Sequence, residues 1–158
     1  MTELYLVLHN IRSAHNVGSI FRTADAVGVT KIYLCGYTPI PETRGRKLGS
    51  DRITKTALGA EKSVSWEYYP QTWRLLKKLK AERINIISLE RSKDSVDYRQ
   101  YRAEFPLAVV LGNEVQGVSN AILKYSDRVI GIPMRGGKES LNVSVAAGVA
   151  LYKLTENE

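Results

Sequence analysis

The sequence predicts an α/β fold, a mostly parallel sheet flanked by helices. Two observations carry this: five short apolar runs recur along the 158 residues, and patterns of helical period separate them. The runs are continuous rather than alternating, as expected for strands covered on both faces. Leu4–Leu8 opens the series, followed by Lys31–Cys35, Ile84–Leu89, Leu107–Leu111 and Arg128–Ile132, with a weaker strand candidate at Val64–Tyr69. Helical patterns cover Asn16–Val27, Gln71–Glu82, a short stretch at Ser119–Tyr125, and Val143–Leu154. Ser92–Phe105 is a charged connection without a clear pattern.

The first helix has readable punctuation. Asn16 is a good N-cap residue type, and Gly28 suits the left-handed position that ends a helix. Val17, Phe21, Ala24 and Gly28 recur at i, i+4, i+7 and i+11, one stripe toward the sheet. Gly18, Arg22 and Asp25 fall on the adjacent stripe, which brings Arg22 out at the edge of the buried face. The last helix differs in kind. Val143, Val145, Ala146, Ala147, Val149, Ala150, Leu151 and Tyr152 make it apolar nearly all round, so it is buried centrally or packs against a second copy of the chain.

Composition excludes several classes. The length suits one domain, and 44% hydrophobic residues suffice for a core. One Cys and two His rule out a disulfide and a four-ligand zinc site, so no metal is expected. The N-terminus lacks a signal-peptide pattern and no apolar run approaches a membrane span, so the expected location is the cytoplasm, with no membrane partner. The net charge of +7 is concentrated: residues 43–62 carry six basic and two acidic side chains, and residues 74–104 carry nine against five. Lys and Arg gain free energy by releasing counterions from a polyanion, so the 43–55 segment fits phosphate contact as well as it fits a solvated loop.

There is no Gly-x-Gly-x-x-Gly, no P-loop and no Gly-x-Ser-x-Gly elbow, which argues against a standard dinucleotide enzyme, an ATPase and a serine hydrolase. What remains are three polar loops containing glycine, each beside a predicted strand: His9–Gly18, Leu111–Ser119 and Ile130–Asn142. Ligands of α/β sheets bind outside the carboxyl ends of the strands, and glycines there let backbone approach a ligand closely.

Asn10-Ile-Arg-Ser-Ala-His-Asn-Val-Gly-Ser-Ile-Phe-Arg-Thr-Ala-Asp-Ala-Val-Gly28 resembles the first motif of the SpoU (TrmH-like) RNA methyltransferases of the SPOUT superfamily. Gly112-Asn-Glu-Val-Gln-Gly-Val-Ser119 is similar to their second motif. Ile132-Pro-Met with Ser140-Leu-Asn-Val-Ser-Val-Ala-Ala is similar to their third, in the same order and over residues 4–152. The resemblance implies a homodimer of single SPOUT domains spanning 1–158, each with a C-terminal trefoil knot holding S-adenosylmethionine and with the site at the subunit interface. It implies methyl transfer to a ribose 2′-hydroxyl of tRNA or ribosomal RNA. Carried over by motif, the cofactor should touch Leu89, Gly112, Ile132, Met134 and Leu141, and the catalytic set should be Asn16, Arg22, Glu114, Ser140 and Asn142.

Longer relatives carry additional RNA-binding parts, whereas the first strand here begins at Leu4, so the core itself is expected to read RNA. Arg44, Arg46, Lys47, Arg52 and Lys55, following aromatic Tyr37, are the expected RNA-binding loop. Three other readings compete: a catalytically silent RNA-binding relative, a base methyltransferase of the same superfamily, and a small-molecule nucleotide enzyme. The presence of Arg22 with Ser140-Leu-Asn142 argues against the first, and the Asn16-to-Arg22 pattern against the second.

Overall fold

Seven strands form one sheet in the order β3-β2-β1-β6-β4-β7-β5 in a computed structural model that describes residues 2–41 and 50–158. The strands are β1 (Leu4–His9), β2 (Lys31–Cys35), β3 (Trp66–Tyr69), β4 (Asn85–Leu89), β5 (Val96–Asp97), β6 (Leu107–Leu111) and β7 (Arg128–Gly131). Every neighbouring pair is parallel, with β6 at the centre between β1 and β4. The helices are α1 (Ala14–Val27), α2 (Ser50–Ala57), α3 (Ala60–Ser63), α4 (Thr72–Ala81), α5 (Asn120–Leu123) and α6 (Val143–Leu154).

Two apolar layers cover the sheet. On one face Leu6, Leu8, Ile32, Leu34 and Val109 pack against Val17, Phe21, Ile53, Ala147 and Leu151 of α1, α2 and α6. On the other, Val7, Tyr33, Cys35, Ala108 and Val110 pack against Leu75, Leu76 and Leu79 of α4 and Ile122 of α5. Strands covered on both sides require apolar residues at successive positions, which is why β6 is buried throughout.

Some boundaries differ from the sequence reading. Helix α1 begins two residues earlier than expected. Its N-cap is Ser13, whose Oγ accepts the Asn16 amide at 3.2 Å, so Asn16 lies inside the first turn. Residues 50–57, read as part of a basic loop, form α2. Its buried Ile53 and Ala57 stand one turn apart, and Gly18 admits it, because a Cβ there would lie 2.0 Å from Thr56 Oγ1 and 2.3 Å from the Ile53 carbonyl oxygen. The 92–105 connection contributes β5 at the sheet edge. Strand β7 stops at Gly131, which frees Ile132 for the loop beyond.

Candidate active site

A cavity of about 910 Å³ opens at the carboxyl ends of β4, β6 and β7. Leu89, Leu111, Ile132, Met134, Leu141, Val143 and Ala146 give it apolar walls, while Glu90, Glu114 and Ser140 add polar groups. All five residues expected to touch the cofactor line it, as do Glu114, Ser140 and Asn142.

The loop after β6 is shaped by Asn113, a buried side chain with its hydrogen-bonding capacity filled. Its Oδ1 accepts the amides of Val115 and Gln116, each at 2.8 Å, and its Nδ2 donates to the Asn10 carbonyl at 2.9 Å and to Tyr37 Oη at 2.7 Å. Main-chain bonds between Asn113 and Gly117 close the loop reciprocally, at 3.1 and 2.8 Å. Gly112 is required by this closure, since a Cβ there would lie 2.4 Å from the Gly117 carbonyl carbon.

Glu114 ties this loop to the first one. Its carboxylate accepts the Arg12 amide at 2.9 Å, the Ser13 amide at 3.1 Å and Asn16 Nδ2 at 3.3 Å. Burial pushes the carboxyl up, but the bonds from Arg12, Ser13 and Asn16 outweigh it and hold the group below the usual carboxylate range. Glu114 is therefore an anionic clamp and a weak base. Asn16 passes the connection onward: its Oδ1 accepts Asn142 Nδ2 at 3.1 Å, while Asn142 Oδ1 caps α6 by accepting the amides of Ser144 and Val145. One hydrogen-bonded line thus joins the three loops, with Asn16 in the middle and outside the cavity wall.

Glu90 and Arg91 also build the site and were not singled out from sequence. Glu90 Oε2 accepts the Val118 amide at 2.8 Å, and Arg91 Nη1 donates to the Glu139 carbonyl at 3.0 Å, holding the 139–142 loop over the cavity. An acid–base pair directly after an apolar strand was the one available hint. The Ser140 hydroxyl makes no hydrogen bond among the described residues and is open to a ligand.

Arg22 stands apart. It is exposed on α1, six residues beyond Asn16 and so roughly 9 Å further along the helix axis. Within one chain it does not line the cavity, and among the described residues it has no hydrogen bond or ion pair. Of the five basic residues expected to contact RNA, Arg52 and Lys55 are exposed on α2 rather than in a loop, whereas Arg44, Arg46 and Lys47 lie outside the described residues.

S-adenosylmethionine fits this donor set. The apolar walls suit an adenosine, the carboxylates suit a sulfonium and an ammonium group, and the main-chain groups of Met134 and Leu141 make no hydrogen bond among the described residues. Among those residues no group of three or more His, Cys, Asp and Glu gathers to hold a metal, and no helix is long and apolar enough to cross a membrane.

Comparison with known proteins gives a consistent picture. The model of the SpoU rRNA Methylase family matches residues 3–152. A tRNA (guanosine(18)-2′-O)-methyltransferase from Aquifex aeolicus is 38% identical over 152 residues, covering 96% of this chain and 68% of that protein. The crystal structure of a TrmH/SpoU tRNA modifying enzyme from A. aeolicus superposes with a TM-score of 0.85 at 34% identity, covering 99% of this chain and 75% of that one. A SpoU methyltransferase from Streptomyces viridochromogenes, solved in complex with the cofactor AdoMet, gives a TM-score of 0.85 at 25% identity, covering 98% of this chain and 57% of that one.

Proposed function

The chain belongs to the SpoU rRNA Methylase family, and from that premise we propose that it methylates a ribose 2′-hydroxyl of RNA, using S-adenosylmethionine. One observation carries the reading: the five residues matched to the cofactor site and three matched to the catalytic set, drawn from four separate stretches of sequence, converge on a single cavity. The tRNA modification named for the A. aeolicus relatives makes tRNA the first substrate to test, with ribosomal RNA the second. Such substrates place the work in the cytoplasm.

The bound cofactor supplies an electrophilic methyl on a sulfonium, whose sulfur departs neutral, so the reaction needs no metal to stabilise the leaving group. The chain's task is to hold the hydroxyl in line with that methyl, a positioning effect worth about 7 to 11 kcal/mol in well-ordered cases. Leu89, Ile132, Met134 and Leu141 enclose the cofactor, and Gly112 lets main chain approach it. Ser140 is placed to hydrogen-bond the target nucleotide. Glu114, Asn16 and Asn142 position the loops rather than touch the reacting atoms.

Arg22 completes the site from a second copy of the chain. Its side chain is exposed beside the α1–α6 contact, where Gly148 faces Thr23, and α6 presents Val145, Val149 and Tyr152 to solvent. A homodimer through this face buries those apolar side chains and carries one copy's Arg22 toward the other copy's cavity. A guanidinium keeps its protons near neutral pH and is a poor base. Arg22 therefore stabilises the developing alkoxide and orients an RNA phosphate, and the hydroxyl proton is released to solvent water. A C-terminal trefoil knot formed by the β6–α6 segment is part of the same reading and rests on the family.

Incubation with labelled cofactor and unmodified total tRNA, then mapping of nuclease-resistant dinucleotides, tests the activity. Labelled 2′-O-methyl dinucleotides are expected, and their absence alongside intact cofactor binding would defeat the proposal. Arg22→Ala should cut turnover at least ~10²-fold with cofactor affinity unchanged, as for loss of one oxyanion-stabilising group.

A further inference from the structure

Much of the positive charge in residues 74–104 lies outside the cavity lining and has no role in the proposed chemistry. On α4, Leu75, Leu76 and Leu79 are buried against the sheet, while Trp73, Arg74, Lys77 and Lys78 all face solvent. Among the described residues Arg74, Lys77 and Lys78 have no acidic partner, whereas Lys80 on the same helix is paired with Asp127 at 2.9 Å. At the start of the helix the arrangement opposes local stability, whereas Lys78 and Lys80 suit the last turn. Arg74 sits in the first turn, where a cation opposes the helix dipole, no acidic residue offsets it there, and Arg74 and Lys78 are like charges at i, i+4. Trp73 is 42% exposed, and the Arg74 guanidinium lies 5.3 Å from its ring centroid. An unpaired cationic stripe ending in an exposed indole suits a polyanion that also has flat apolar faces.

The location fits too. Thr72 Oγ1 lies 2.6 Å from His9 Nδ1, so the start of α4 meets the carboxyl end of β1, the sheet end that carries the cavity. Helix α4 lies on the sheet face opposite α6, so a dimer built on α6 leaves the stripe uncovered.

We propose that Trp73, Arg74, Lys77 and Lys78 form a second RNA-contact surface, in which the cations meet backbone phosphates and the Trp73 ring stacks on a base. This rests on the RNA-methylation reading above. The test compares wild type with the Arg74→Glu/Lys77→Glu/Lys78→Glu variant for binding of unmodified tRNA across a salt series, with calorimetry of S-adenosylmethionine as the control. The variant should bind tRNA roughly tenfold or more weakly, and the slope of log affinity against log salt should flatten by about 2 to 3, at ~0.7–0.9 per phosphate contact. Cofactor affinity should not change. tRNA should also quench the fluorescence of Trp73 in wild type and in Trp66→Phe, with the quench lost in Trp73→Phe.

Wild-type binding that the triple variant retains with the same salt slope would overturn the inference alone, leaving the stripe to an acidic protein partner. Failure of the wild type to bind tRNA or ribosomal RNA at all would overturn this inference and the RNA reading together.

Discussion

Replacing Gly112 with Ala tests the closure of the loop beneath the cofactor. The added Cβ would sit 2.4 Å from the Gly117 carbonyl carbon, 2.5 Å from the Val118 nitrogen and 2.6 Å from the Gly117 oxygen. Carbon contacts are comfortable at about 3.5–4.0 Å, so main chain on one side must retreat by about 1 Å. These are backbone atoms held by the reciprocal Asn113–Gly117 bonds and by Val118 donating to Glu90, so no flexible side-chain tip can swing away. Overpacking of this kind costs about 1–3 kcal/mol, and losing the two ladder-like bonds costs a further ~0.5–1.5 kcal/mol each. A total near 3 kcal/mol corresponds to a fall in Tm of roughly 6–12 °C for a chain of this size. Because the same displacement moves the cavity wall, turnover should fall ~10²-fold even where the variant remains folded. Thermal unfolding by circular dichroism and titration calorimetry with S-adenosylmethionine read both effects. A variant melting within about 2 °C of wild type and binding the cofactor equally well would refute the claim that close backbone approach requires glycine here.

Three further outcomes are expected. The depressed Glu114 carboxyl contributes stability that is present above its unfolded value near 4.5 and is lost as pH falls through the lower folded value. Glu114→Gln should shrink that acid limb in a Tm-against-pH series and cost ~1–2 kcal/mol at pH 7, because an amide NH₂ then faces the Arg12 or Ser13 N–H. Val145→Glu/Val149→Glu places two carboxylates on the exposed apolar face of α6 and should weaken self-association at least ~10²-fold by light scattering. An unchanged dimer would remove α6 from the interface. Cys35 is buried, and burial pushes its thiol up to about 12, so a disulfide reagent at pH 8 should label it only as fast as the chain unfolds. Rapid labelling of native protein would contradict that placement.

Where the physical pressure on a segment was one-sided, the sequence was easy to read. Lys31–Cys35, Leu107–Leu111 and Val143–Leu154 fall where their apolar runs begin and end, since proline, glycine or polar residues stand at those limits. Helix α2 was obscured because only Ile53 and Ala57 mark its buried stripe among charged neighbours, and the feature that accepts it, Gly18, belongs to another helix. The start of α1 was ambiguous locally: Ser13 and Asn16 are both good caps, and the choice falls to Ser13 because the Asn16 Oδ1 that would cap a helix accepts Asn142 Nδ2, 126 residues away. The cavity's apolar wall followed from the motif resemblance. Glu90 and Arg91 did not, because their value lies in partners, Val118 and the Glu139 carbonyl, that sequence spacing does not bring near.

The Asn16–Asn142 bond spans 126 residues, and interior strand β1 takes one of its two neighbours from residues 107–111. During translation the early half of the chain consequently emerges with β1 unpaired along one edge, and the helix cap that organises the 139–142 loop follows 126 residues after the asparagine it binds. Contacts so distant in sequence slow folding and leave incomplete chains prone to association. A prematurely terminated product would therefore hold neither cofactor nor RNA in working order, and the cell would meet it as a substrate for chaperones and proteases.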